Sequence, residues 1–97
     1  MIKLIRSDRK GKKYMVRIGN KTTHFGSAVH EDYTIHKDAK RKSYYISRHK
    51  ANENWNKSGI NTAGFWSRWL LWNLPTIGSS IRNIESRFNV KIQRLLN

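Results

Sequence analysis

The stretch that decides the fold is Ala63-Gly-Phe-Trp-Ser-Arg-Trp-Leu-Leu-Trp72, which holds three of the four tryptophans in the chain. At helical spacing Phe65, Trp69 and Trp72 form one ridge of the helix. Trp66 and Leu70 form another, so this helix is apolar on nearly every side. The pattern predicts a central helix, buried between a sheet and another helix. The alternative is that part of this surface binds another protein, because tryptophan is enriched at interface hot spots.

The residues around this stretch predict where helices begin and end. Asn61-Thr62 can cap the Trp-rich helix, and Asn73-Leu74-Pro75 ends it near Trp72 because proline disfavours helix in the residue before it. Thr76 can cap a further helix, and Asn89 suits a left-handed stop at its C-terminus. The predicted core of the two helices consists of Trp66, Trp69, Trp72, Ile81, Ile84 and Phe88.

Alternation of apolar and polar residues marks strands in the N-terminal part of the chain. It runs over 2–6 and resumes over 13–18 after a turn. Gly19-Asn20 is a tight-turn signal, and Lys21 to Phe25 follows as a third strand. We therefore expect three antiparallel strands with one packed face and one basic face. Residues 90–92 alternate in the same way and fit a short final strand.

The middle of the chain holds one more helix. No period holds from Ser27 to Lys37, which we interpret as a loop, and a helix fits from about Asp38 to Lys50 with Asp38 as its N-cap. Ala51 to Ile60 has the composition of a connecting loop. The face of this helix that is predicted to pack on the sheet consists of Ala39, Ser43 and Ile46.

Length and pattern together predict one α+β domain over residues 1–97. Its small, mainly antiparallel sheet has three or four strands and packs against three helices. The competing architecture is an all-helical bundle preceded by an extended arm.

Composition excludes several classes of protein. The aromatic content of 11% is too high for a disordered tail, and the absence of cysteine removes disulfides and thiolate zinc sites. The longest apolar run, Trp69 to Trp72, is far shorter than the roughly 20 residues of a membrane span. The N-terminus lacks the apolar segment of a signal peptide. We expect a soluble protein, with an oligomeric state that the sequence leaves open.

Charge indicates the class of partner. Twenty Lys and Arg face six Asp and Glu, which gives a formal net charge of +14. Residues 1–50 carry 14 basic and 4 acidic groups, a net of +10. Such an excess favours contact with a polyanion, since it otherwise repels itself. Nucleic acid, with duplex DNA preferred, is the predicted partner, and the candidate binding residues are Lys10, Lys12, Lys13, Arg17, Lys37, Arg41, Tyr44 and Arg48.

No residue pattern predicts catalysis, a metal or a cofactor. The four histidines, at 24, 30, 36 and 49, match no ligand spacing, and the six acidic residues are scattered. The serines lie in helical patterns without a nucleophile elbow. We therefore predict a protein that is not an enzyme and has no catalytic residue.

Several motifs resemble a family of small basic proteins of large DNA viruses, which include viruses of algae and amoebae and some phages. The resemblance covers about Tyr14 to Ile92. It is carried by Phe25-Gly26, Asp32-Tyr-Thr-x-His36-x-Asp38, Arg41-Lys-x-x-Tyr45-Ile-x-Arg48-His49, Glu53-Asn-Trp55, and the Trp-rich stretch through Pro75.

The resemblance implies a structural protein of the virion, present in the host cytoplasm or nucleus during assembly. It transfers no catalytic residue. On the basis of this resemblance we expect a structural polar network that holds the loop and the first helix against the Trp-rich helix. The members of the network are Asp32, His36, Arg48, His49, Glu53 and Trp55. The basic face is expected to bind nucleic acid through phosphates without sequence preference. The alternative is a minor capsid or cement protein that contacts capsid proteins through the Trp-rich helix.

Overall fold

Three N-terminal strands and one C-terminal strand form a mixed four-stranded sheet in this computed structural model, which describes residues 1–96. The strands are β1 Ile2–Arg6, β2 Lys12–Ile18, β3 Lys21–Ser27 and β4 Ile92–Leu95. They lie in the order β3-β2-β1-β4, and β1 pairs antiparallel with β2, as β2 does with β3. The last strand, β4, pairs parallel with β1. The α+β class is confirmed, and the all-helical alternative is wrong.

Four helices accompany the sheet: α1 Tyr33–His36, α2 Ala39–His49, α3 Ala63–Trp66 and α4 Ile77–Phe88. Helix α3 continues as a π-helical turn over Ser67–Leu71, closed by a bond from the Trp72 N–H to the Ser67 carbonyl at 3.0 Å. A 3-10 turn spans Lys57–Gly59. Three of the four helices match the predicted ones, with the Trp-rich helix ending one residue early.

The short helix α1 lies where we predicted only loop. Its cause is Asp32, whose side chain accepts hydrogen bonds from the backbone N–H and the hydroxyl of Thr34. A capped single turn is too short to produce helical periodicity, so the sequence pattern does not reveal it.

The predicted caps are confirmed. The side chains of Asp38, Thr62 and Thr76 accept from backbone N–H groups in the first turns of α2, α3 and α4. Asn89 closes α4 in the left-handed region, with φ 55°. Polar N-caps satisfy donors that the helix itself leaves unpaired, which explains why these boundaries can be read from sequence.

The core lies between one face of the sheet and the Trp-rich helix. Leu4 and Phe25 on the sheet and Phe65, Trp66 and Leu70 on the helix are fully buried. Of the six predicted core residues, Trp66, Trp69, Ile81 and Ile84 are buried. Trp72 and Phe88 pack against the core but are only partly buried. The Trp-rich helix is thus central, as its all-round apolar pattern predicted.

Helix α2 is attached through a different face from the predicted one. Ala39 and Ser43 are exposed and Ile46 is partly buried. The buried residue of α2 is Tyr45, whose ring lies parallel to that of Trp72, with 4.5 Å between centroids. An aromatic pair contributes more buried area than three small side chains, so it determines how α2 docks. No helix within residues 1–96 has the length and apolar character needed to cross a membrane.

Candidate nucleic-acid interface

A cleft of about 720 Å³ separates helix α2 from the sheet, and we refer to it as the α2 cleft. One wall is the side of α2 that carries Arg41, Tyr44 and Arg48. The opposite wall consists of the neighbouring ends of β2 and β3. Glu53 and the Trp-rich helix form the third side. The cleft therefore exists because α2 is held by Tyr45 rather than lying flat on the sheet.

Five of the eight predicted binding residues line this cleft: Lys12, Lys13, Arg41, Tyr44 and Arg48. The other three do not. Lys10 lies in the turn between β1 and β2, and Arg17 lies near the far end of β2, opposite Lys3 of β1 in the sheet. Lys37 follows α1, and its ammonium donates to the Thr34 carbonyl. The structure thus joins the hairpin and α2 into one basic surface, which the sequence showed only as two separate stretches.

Two of the cleft cations are already paired with carboxylates. The Lys13 ammonium contacts Asp32, and both side chains are largely buried. Arg41 contacts Glu31 at 3.3 Å, and this pair is about half exposed. Lys12 and Arg48 take part in no ion pair within residues 1–96. They are the cleft cations most available to an external anion.

Cations without a carboxylate partner also outnumber paired ones over the whole described chain. All 20 Lys and Arg side chains belong to residues 1–96, and just these two contact a carboxylate within 4.0 Å. Unpaired surface cations repel one another, and a bound polyanion removes that repulsion. Most of the +14 charge is therefore available to an external partner.

An aromatic cluster holds the α2 wall in place. Tyr45 stacks on Trp72 and also on His49, at 4.2 Å between centroids. Its ring is also nearly parallel to that of Trp55, at 6.5 Å. Burial raises the pKa of the Tyr45 phenol above its usual value of 10.0, and the Glu53 carboxylate raises it further, against an opposing effect of Arg68. Tyr45 is therefore a neutral packing residue at neutral pH.

Glu53 lies over the start of the Trp-rich helix. Its carboxylate is so close to Gly64 that a Cβ there would clash with Oε2. The other oxygen, Oε1, is buried and has no hydrogen-bond partner within residues 1–96. The inner end of the cleft thus carries a negative charge, while its rim is basic.

The residues of the predicted polar network act through separate contacts. Within residues 1–96, no hydrogen bond joins any two of Asp32, His36, His49, Glu53 and Trp55.

Four of them make contacts of their own, and His49 does so by stacking on Tyr45. Asp32 caps α1 and binds Lys13, His36 accepts from the Asp38 N–H, and the Trp55 carbonyl accepts from the Trp69 indole at 2.9 Å.

Lys42 and Arg68 are two cations that the sequence interpretation missed. Lys42 donates to the Asn73 carbonyl and lies 4.9 Å from the Tyr33 ring centroid, and Arg68 packs 4.4 Å from the Trp69 ring. Burial lowers the pKa of both groups. Lys42 precedes Tyr45 by three residues and so shares its face of the helix, which is the signal that could have identified it.

The part of the chain that carries the cleft cations matches a family model. Residues 2–49, from β1 to the end of α2, are similar to a family of unknown function (DUF5754). No curated protein and no solved structure matches the chain. Within residues 1–96, no group of three or more His, Asp or Glu side chains is placed to hold a metal ion.

Proposed function

We propose that this chain is a non-enzymatic structural protein that binds nucleic acid through phosphate contacts without sequence preference. The observation that carries the proposal is the α2 cleft, where residues from the hairpin and from α2 form one basic rim. Lysine and arginine neutralise phosphates and release condensed counterions, so the interaction does not depend on base sequence. The viral origin and the place in a virion rest on the resemblance of the sequence motifs alone.

The test is the salt dependence of binding. If about six phosphates are engaged on duplex DNA, log K falls with log salt at a slope of roughly −5. Replacing Arg41 and Arg48 together by Gln weakens binding to all sequences alike and reduces the slope by about 2.

The matched control replaces Arg82 and Arg94 by Gln, which removes the same charge from two residues that do not line the cleft. The control pair should retain more affinity than the cleft pair. Equal losses in the two variants would contradict the cleft as the interface, and absence of binding at low salt would contradict the function itself.

The burial of two tryptophans of the Trp-rich helix is the reason for placing the cement-protein alternative second. Trp66 is fully buried and Trp69 is 9% exposed, so neither offers an anchor to another protein. The high tryptophan content of this helix is explained by the core that these side chains form with the sheet.

A further inference from the structure

Two neighbouring tyrosines of α2 have opposite environments. Tyr45 is 7% exposed in the aromatic cluster, while Tyr44 is 53% exposed on the wall of the cleft. Tyr44 lies between Arg41 and Arg48 at helical spacing, which places a flat ring between two cations on one side of the helix. Proteins that bind single strands combine these elements, a basic groove and an exposed ring on which a base stacks.

The size of the cleft selects among nucleic acids. Sites for small ligands occupy about 300–1,000 Å³, and the α2 cleft falls within this range. Such a space accommodates one or two nucleotides of a single strand, but not the two paired strands of a duplex. A duplex could touch only the rim.

The charges in the cleft determine the orientation of a bound strand. Asp32 and Glu31 are neutralised by their partners, whereas Glu53 has no ion-pair partner within residues 1–96. Its carboxylate repels phosphate from the inner end, while Lys12 and Arg48 attract phosphate to the rim. The neutral base is therefore the part of a nucleotide that faces Tyr44 and the interior.

We propose that the α2 cleft binds an unpaired strand of nucleic acid, with a base stacked on Tyr44 and the flanking phosphates on Lys12 and Arg48. This inference rests on the proposed function and narrows its ligand from nucleic acid in general to single-stranded segments. The duplex becomes the competing outcome.

The experiment compares three labelled probes of equal length at low salt: an eight-nucleotide oligo-dT, an abasic strand with the same phosphates, and an eight-base-pair duplex. The intact protein should bind oligo-dT about tenfold more tightly than the abasic strand, since stacking of one base is lost. It should bind the duplex more weakly than oligo-dT.

Three variants localise the base contact. Tyr44→Ala should abolish the preference for oligo-dT over the abasic strand, and Tyr44→Phe should retain it because the ring remains. Ile35→Ala is the control, since Ile35 is equally exposed at 52% but does not line the cleft. Circular dichroism verifies that each variant is folded.

The outcomes separate this inference from the proposed function. Equal affinity for oligo-dT and the abasic strand, or tighter binding of the duplex with no effect of Tyr44→Ala, overturns the single-strand proposal while salt-dependent binding still supports the function. No binding of any probe overturns both.

Discussion

The two halves of this chain differ in what they contribute, and neither is complete alone. Residues 1–50 carry a net charge of +10, whereas residues 51–97, with 6 basic and 2 acidic groups, carry a net charge of +4 and hold all four tryptophans. Yet Phe25 of β3 packs against Trp66 of the Trp-rich helix, and β4 from the second half pairs with β1. The basic surface is thus built on a core that lies largely outside the residues matched by the family model.

The contacts between the halves also position the cleft. Tyr45 stacks on Trp72, and Lys42 donates to the Asn73 carbonyl. Both contacts fix α2 relative to the Trp-rich helix rather than to the sheet. Loss of the second half would therefore remove the support of the cleft wall as well as the core.

Removing the central tryptophan should have the largest effect. Trp66 is fully buried beside Phe25 and donates its indole N–H to the Ile60 carbonyl at 2.7 Å. Trp66→Ala should lower the free energy of unfolding by about 3–5 kcal/mol, a large part of the stability of a small domain. Urea denaturation followed by circular dichroism measures this. Ile35→Ala is the control and should change stability by less than about 0.5 kcal/mol.

The core and the helix boundaries could be predicted because they depend on local patterns. The Trp-rich stretch is apolar all round, and Thr62, Thr76 and Asn89 are residues that caps require. The docking of α2 could not be predicted in this way. The sequence offers two faces of the helix that could pack, one with Ala39, Ser43 and Ile46 and one with Tyr45. The position of Trp72 decides between them, and only the tertiary structure gives it. The parallel pairing of β4 with β1 is equally a consequence of tertiary structure.

The candidate site was predicted only in part, for a related reason. The cations were evident from composition, and four of the seven predicted ones line the cleft together with Tyr44. The loop before α1 decides which of these cations are neutralised, because it brings Asp32 to Lys13 and Glu31 to Arg41. Such pairs leave no periodic signal in the sequence.

The two ion pairs of the basic half should differ in what they stabilise. Asp32 is 3% exposed, binds Lys13 and caps α1, so Asp32→Ala should cost about 2 kcal/mol in the free energy of unfolding. Glu31→Ala removes an exposed pair and should cost less than about 0.5 kcal/mol. It should also raise the affinity for nucleic acid, because it frees Arg41. Equal losses of stability in the two variants would show that Asp32 is not a structural residue.

A pair of glycines tests the contact between Glu53 and the Trp-rich helix. Gly64→Ala places a Cβ against the Glu53 carboxylate and should cost about 1 kcal/mol. Gly78→Ala in α4 is the matched control, because the nearest atom to its Cβ would be 3.6 Å away, and it should stabilise by about 0.5 kcal/mol. Thermal denaturation distinguishes the signs. In a Glu53→Ala background, Gly64→Ala should no longer destabilise, and a persistent loss would point to the backbone instead.

The smallest expected effect is the alkaline sensitivity caused by Tyr45. Burial raises its pKa in the folded chain above the value of 10.0 that it has when unfolded, so the folded state retains a proton that the unfolded state releases. Stability from this group is fully present below pH 10 and is lost as the pH rises toward the folded pKa; the loss reaches about 0.8 kcal/mol by pH 10.5. Lys42 acts in the opposite direction, since its lowered pKa means that deprotonation relieves a cost of burial. Comparison with Tyr45→Phe isolates the tyrosine. Between pH 9 and 10.5 the urea midpoint of the native protein should fall relative to that of the variant, which has no phenol to ionise. Parallel pH profiles would exclude Tyr45 as the group responsible.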